Sequence, residues 1–507
     1  MFSYATATIV ALALYIVVKP QWWARERTLS QIPTVGPSQP LLSYLGAIKF
    51  LYDAAGMLRR GYERHKPGIF KVAGFNGWTV VVCGEKYIEE LRKAPDDVVS
   101  FDDAANDVIQ IPYTLGKDII TDPYHIHVLL TQLTRNLHDI FPHIHDEVIS
   151  AIQDSLSTTN EGEWASMPGL EAMTQIMARV CNRTFVGLPL CHNLDYITLC
   201  KRFAMKEVFQ AVITITLFPN FLRPVVSYLL TCLSSPLSRA TKLLRPIIKQ
   251  RKEIIKEYGK DCPQNSNDLL QWLLTDSRGS QASDRDLASR ILAINFAAVR
   301  TPSMIMTQVL FHLIANPEYI QPMRHEVESI INAEGWTRTS VDKMHKLDSF
   351  VKETLRFSDI RFLSMMRKTR KQFTFSDNSV IPEGTMVFAA SHPTHFDASI
   401  YHNPQHFDGF RFERLRQREN ADVDDSGPRH QLVATNPAYL SWGYGKHACP
   451  GRFFAAVVLK LILAHLILNY DLRFDQAGAR PSDFVFEANC MPNAQAHILL
   501  KRRKLVA

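Results

Sequence analysis

The sequence predicts a mainly α-helical protein with small β-sheets, built as one large domain behind an N-terminal membrane anchor. Three observations predict it: an uncharged apolar stretch near the start, long helical segments that include one of roughly thirty residues, and only two short regions of strand character. Hydrophobic residues make up 46% and aromatics 10% of the 507 residues against 21% charged, the balance of an ordered globular chain. The net charge of +7 comes without dense Lys/Arg runs. That sets nucleic acid aside as a partner and leaves an anionic membrane face or an acidic protein. The eight cysteines show no C-x-x-C pair and no zinc-like spacing, so they read as reduced thiols facing the cytosol.

Residues 1–23 form the predicted anchor. Tyr4 to Val18 carries no charge and is followed by Lys19, the pair Trp22-Trp23, Arg25 and Arg27. The basic residues follow the apolar run, which favours a retained anchor over a cleaved signal peptide and leaves the body in the cytosol. Residues 24–40 are a basic and proline-rich linker, stiffened by Pro33, Pro37 and Pro40. Without a second Pro/Gly-rich boundary, residues 41–507 read as one domain. Ile69–Ala73 and Thr79–Val82 around Asn76-Gly77 predict a β-hairpin, and Phe373–Phe388 predicts a second small β region. The longest helix starts at a cap on Ser283 with Asp286 three residues on and stops at Asn316-Pro317. At about 1.5 Å per residue it is some 45–50 Å long, enough to cross the domain. An amphipathic helix is expected over Val341–Phe357, and a strongly apolar one over Arg452–Leu468.

Before that last helix stands Trp442-Gly443-Tyr444-Gly445-Lys446-His447-Ala448-Cys449-Pro450-Gly451. The loop resembles the cysteine loop of the cytochrome P450 family, haem-thiolate monooxygenases that carry an aromatic, glycines, a basic residue, the cysteine and a further glycine at this spacing. Trp442 stands where phenylalanine is usual and keeps the aromatic. The chemistry explains the pattern: an axial thiolate favours O–O cleavage, and backbone N–H groups of a glycine-bent loop can stabilise the buried thiolate.

The resemblance implies a P450 fold with haem b, the iron held by Cys449 and Trp442, Gly443 and Gly451 shaping the loop. It also puts His447 and Arg367 where haem propionates are usually bound. In the helix around His125–Leu137, Leu130 occupies the place of another propionate-binding Arg, with His127 or Arg135 as substitutes. Glu353 and Arg356, three apart on one helix face, match the family's buried pair. Phe407-Asp408-Gly409-Phe410-Arg411-Phe412 supplies the third member, Arg411, in the right order.

The family's central helix carries an acid followed by Thr, which guide protons to dioxygen. Here the segment reads Ala297-Ala298-Val299-Arg300-Thr301-Pro302. Thr301 is retained as the catalytic residue. Arg300 replaces the acid and, lacking a proton acceptor, cannot relay protons as a carboxylate does. Pro302 deprives the carbonyl of Ala298 of its i−4 partner, predicting a kink and a free carbonyl for water or a substrate hydroxyl. Phe296, Ala297, Ala298 and Arg300 are candidate pocket residues. The Phe101–Leu115 loop and the segments Ile360–Met365 and Phe484–Met491 are further candidate walls.

The resemblance implies oxidation of a lipophilic small molecule with O₂ and NADPH electrons. These would arrive through a membrane-bound NADPH–cytochrome P450 reductase, with cytochrome b5 as a further candidate donor, at the endoplasmic reticulum membrane. Asp122-Pro123-Tyr124-His125, Leu133-Thr134-Arg135-Asn136-Leu137 and the Phe-Asp-Gly-Phe-Arg-Phe loop look like those of fungal enzymes that tailor terpenoids in secondary metabolism. The alternatives are a haem-thiolate isomerase or dehydratase, which works on peroxides without reductase, and a non-catalytic haem-binding protein.

Overall fold

A computed structural model describes residues 28–503 apart from 40–41, 76, 157–161, 234, 261, 263–264, 422–427 and 476–479. The expected anchor, residues 1–23, and the first residues of the linker lie outside the described residues. The described part of the linker, 28–39, is laid onto the body. Leu29, Ile32 and Val35 are buried, and Thr34–Val35 (β1) pairs in parallel with Gly68–Gly74 (β2).

The predicted hairpin forms from β2 and Gly77–Cys83 (β3), antiparallel with Ile69 opposite Val82. Val99–Ser100 (β4) completes one edge of the same sheet, whereas Ala165–Pro168 (β5) belongs to another. The second β region divides. Ser364–Thr369 (β6) precedes it, Phe373–Thr374 (β7) and Val380–Ile381 (β8) form a small ribbon, and Met386–Ala389 (β9) joins the main sheet. The six strands run in the order β1-β2-β3-β9-β6-β4. Towards the C-terminus come Tyr470–Phe474 (β10), the hairpin Phe484–Phe486 (β11) with Asn489–Met491 (β12), and His497–Arg502 (β13), which lies between β10 and β5.

Four helices position the site: Gly169–Phe185 (α1), Asp284–Ala315 (α2), His345–Phe357 (α3) and Arg452–Asn469 (α4). Their apolar faces meet in one core through Ile176, Val180, Val309, Phe350, Val351, Leu459 and Leu463. The cap of α2 is as the sequence indicates: the Ser283 hydroxyl accepts the N–H of Asp286 at 3.2 Å. Among the described residues α4 is the one helix long and apolar enough to cross a membrane, but most of it is buried inside the protein. It is a core helix.

Two expectations on local structure need correcting. The helix expected over Val341–Phe357 is broken at Met344, whose ψ of 77° is not helical. Arg338–Lys343 is a separate turn closed by a Thr337–Ser340 capping box. The Glu326 carboxylate accepts the N–H groups of Lys346 and Leu347 at 2.9 and 3.3 Å, which starts α3 afresh. The Phe101–Leu115 loop is instead largely helical: Phe101–Ile109 is an α-helix whose cap, Ser100, accepts the N–H of Asp103, and Pro112–Gly116 is a π turn.

Candidate active site

The cysteine loop is tied shut by its own backbone. The N–H of Cys449 donates to Trp442 O at 2.8 Å, that of Ala448 to Gly445 O at 3.0 Å, and that of Gly443 to Leu440 O at 2.9 Å. Gly443 and Gly445 hold φ of 73° and 79°, a conformation that excludes most other residues. A side chain at Gly445 would also run into Arg92. Trp442 is buried, and its indole N–H donates to Leu432 O at 2.7 Å, an anchor that phenylalanine lacks. Burial pushes the Cys449 thiol up, while backbone N–H groups of Gly451 and Arg452 and the nearby guanidiniums of Arg452 and Arg361 draw it down. Gly451, at the start of α4, faces open space where a side chain would stand.

Beneath the loop lies the expected carboxylate–guanidinium cluster. Arg356 grips Glu353 in a bidentate fork, both bonds 2.8 Å, and both side chains are fully buried. Arg411 donates to both oxygens of the same carboxylate, at 3.1 and 3.2 Å. The surplus positive charge is met by backbone carbonyls: Arg356 donates to His395 O and Pro404 O, and Arg411 to His402 O, Asn403 O and His406 O. His395, which sequence reading did not single out, links cluster to loop. Its Nε2 accepts the N–H of Leu440 at 3.0 Å, so the ring must be neutral there, and burial holds its pKa well below the usual value.

At the opposite end of the cysteine loop, Arg367 and His447 come together over Phe101. The Arg367 guanidinium lies 5.8 Å from the ring centroid, and the His447 ring stacks on it at 5.1 Å. Arg367 is buried and donates to Met366 O at 2.8 Å, with no ion pair among the described residues. Burial pushes its pKa down to about 10. His447 is engaged at Nε2 by Asp96, 2.9 Å away, a carboxylate that also holds Lys446. His127, Leu130 and Arg135 are exposed, and no contact brings them to Arg367 or His447.

On the facing side, α2 is buried along most of its length but accessible at Phe296, Ala297, Ala298, Arg300 and Thr301. The helix continues through Pro302 to Ala315. The carbonyl of Ala298 is not left for water or substrate, as the sequence suggested. The Cys181 thiol on α1 donates to it at 3.4 Å, because this carbonyl faces the packed α1–α2 contact rather than the cavity. Arg300 lies over the Phe209 ring, 3.8 Å from its centroid, and donates to Met205 O at 3.2 Å.

These features fit a haem. Cys449 is a half-buried sulfur in a loop of N–H donors, Arg367 is a buried cation without an ion-pair partner among the described residues, and the accessible strip of α2 provides a second wall. Cys449 would hold the iron, with Arg367 and His447 at the propionates.

The comparisons with known proteins agree. The family model described as Cytochrome P450 matches residues 37–498. Cytochrome P450 monooxygenase 151 of Postia placenta is 42% identical over 503 residues, which cover 99% of this chain and 98% of that protein. Cytochrome P450 monooxygenase CYP512U6 of Ganoderma lucidum is 35% identical, covering 99% and 97% of the two chains. Cytochrome P450 monooxygenase paxQ of Penicillium paxilli is 30% identical, covering 100% and 98%.

Proposed function

This chain belongs to the cytochrome P450 family of monooxygenases, and from that premise we propose that it oxidises a lipophilic small molecule, a terpenoid in fungal secondary metabolism, with O₂ and electrons from NADPH through a reductase. One observation carries the reading: a half-buried cysteine sits in a closed loop of N–H donors, and the middle of the long central helix is accessible at Phe296, Ala297, Ala298, Arg300 and Thr301.

Bound haem supplies the oxygen-activating chemistry, and the chain's own residues do the rest. Thr301 is accessible and its hydroxyl makes no hydrogen bond among the described residues. It is free to hold a water and pass a proton into the cavity. Arg300 cannot share that task, since guanidinium accepts no hydrogen bond. Phe209 and Phe296, 5.7 Å apart, give the cavity an apolar wall suited to a lipophilic substrate.

A second face supports membrane association. Ile213, Leu217, Phe221, Val225, Tyr228 and Leu229 are exposed apolar side chains on and between the helices Val208–Thr216 and Arg223–Leu233, a concentration that soluble surfaces rarely leave bare. It fits a body resting on the endoplasmic reticulum membrane behind an N-terminal anchor. The test is to express the chain with a reductase and profile terpenoid products. Product that requires both NADPH and O₂ supports the reading; turnover of a hydroperoxide with neither would overturn it in favour of an isomerase. In Thr301→Ala, more peroxide released per NADPH and less product is expected, and unchanged coupling would remove Thr301 from proton delivery.

A further inference from the structure

A buried carboxylate stands at the foot of the cysteine loop. Asp359 lies just past the end of α3, where an ionised group is costly unless donors meet it. The backbone N–H of Arg361 donates to its Oδ1 at 3.3 Å, and the Ser441 side chain hydrogen-bonds to the same carboxylate. Its Oδ2 faces Nδ1 of the fully buried His395, 3.8 Å away.

What that contact means is decided on the other side of the imidazole. Nε2 of His395 accepts the N–H of Leu440 at 3.0 Å. A nitrogen that accepts carries no proton, so the proton of this neutral ring is on Nδ1. The opposite tautomer would set Nε2–H against the Leu440 N–H. Nδ1 is buried without a hydrogen-bond partner among the described residues, and Asp359 is the carboxylate it faces. At 3.8 Å the contact is longer than a hydrogen bond. It acts as a charge–dipole attraction, strengthened by burial, and it favours the tautomer that receives Leu440. Tyr439 stacks on the same ring at 5.5 Å and fixes its plane.

Leu440 and Ser441 are the two residues before Trp442, whose carbonyl takes the Cys449 N–H, while Leu440 O receives the N–H of Gly443. Asp359 therefore reaches both residues at the entrance of the loop, Ser441 directly and Leu440 through His395. Burial pushes the Asp359 pKa up to about 7, so the ionised form costs the fold stability. A neutral amide of the same shape would serve packing better, which sets the charge apart from a packing role.

Resting on Cys449 as the haem ligand, we propose that Asp359 is a positioning residue: its carboxylate holds His395 in the tautomer that receives the Leu440 N–H, and so keeps the entrance of the cysteine loop in place.

The test uses the full-length holoprotein at about pH 8, where the Asp359 carboxylate is ionised. Asp359→Asn keeps an oxygen for the Arg361 N–H and the Ser441 hydroxyl and removes the charge facing His395. It should release haem to apomyoglobin at least about threefold faster than the wild type. Its haem reduction potential should shift upward, because a thiolate held less firmly donates less electron density to the iron. Its Tm should equal or exceed that of the wild type, since a buried charge has been neutralised. A merely structural role would not separate Tm from the haem readouts in this way. Asp359→Glu, which restores the charge, should recover at least part of both changes. In the His395→Leu background Asp359→Asn should add nothing to either, because its route to the loop is gone. Haem release and potential unchanged in Asp359→Asn, no recovery in Asp359→Glu, or an Asn effect of full size in the His395→Leu background would overturn the proposal. So would failure of Asp359→Asn to fold beside a normal Asp359→Glu, since the carboxylate would then serve the fold. The wild-type reduced CO spectrum separates the two levels of failure: absence of the thiolate band sinks the monooxygenase reading itself, whereas a normal band with an unaltered Asp359→Asn sinks only the role of Asp359.

Discussion

The Cys181 thiol donates to the carbonyl of Ala298 at 3.4 Å, and so takes up the acceptor that Pro302, four residues on, leaves without an amide. Burial keeps Cys181 protonated and therefore a donor. The consequence is a coupling that can be measured. Pro302→Ala restores an N–H to the helix and should make the thiol redundant. Cys181→Ala should therefore destabilise the wild type more than it destabilises the Pro302→Ala background, by about 0.5–1 kcal/mol in a double-mutant cycle of thermal or denaturant unfolding. Additive effects would show that the two residues act separately.

Glu353 is the only carboxylate among the described residues that Arg356 and Arg411 share, and all three side chains are buried. Replacing either partner leaves an uncompensated buried charge, at a cost of about 3–5 kcal/mol. Glu353→Gln should therefore yield little folded holoprotein, judged by soluble haem content. Arg356→Lys should fail nearly as badly, because one ammonium cannot serve the Glu353 fork and the carbonyls of His395 and Pro404 together. Wild-type haem content in Arg356→Lys would refute the role of the fork.

The contrast between these two clusters shows what the sequence could reveal. Cys449, Glu353, Arg356 and Arg411 were legible because their chemistry demands fixed residue types at fixed spacing, and the Ser283 cap because a local hydrogen bond needs only neighbours. The break at Met344 was hidden, since the acceptor that restarts the helix, Glu326, lies twenty residues upstream and no periodicity reports it. Cys181, His395 and Asp96 were missed for the same reason: each acts on a group brought near by tertiary packing.

His395 holds the entrance of the cysteine loop through Leu440, whose carbonyl in turn receives the N–H of Gly443 and the hydroxyl of Ser364. His395→Leu removes the acceptor and strands a buried N–H, at about 1–3 kcal/mol. The expected outcome is a lower Tm together with faster haem loss to a scavenger such as apomyoglobin. His395→Gln, which can still present an oxygen, should recover part of both. A leucine variant with lowered Tm but unchanged haem retention would mean that the contact stabilises the fold without positioning the loop.

His465 on α4 should contribute to acid lability. Its ring stacks on Trp336 at 4.3 Å, and its Nε2 is buried without a hydrogen-bond partner among the described residues. Burial pushes its pKa down to about 3, with His145 adding to the effect. The sign follows from the two states. The unfolded chain takes up a proton below about 6.5, and the folded chain does not until near 3. Stability is thus fully present above 6.5 and is lost as pH falls toward 3, at up to about 1.4 kcal/mol per pH unit. His465→Phe keeps the stack on Trp336 and removes the titrating group. Near neutral pH its unfolding free energy should stay close to that of the wild type. At pH 5 it should exceed the wild type by about 2 kcal/mol, read from urea unfolding at a series of pH values. Parallel curves for the two proteins across that range would show that His465 is protonated in the fold or takes no part in its acid sensitivity.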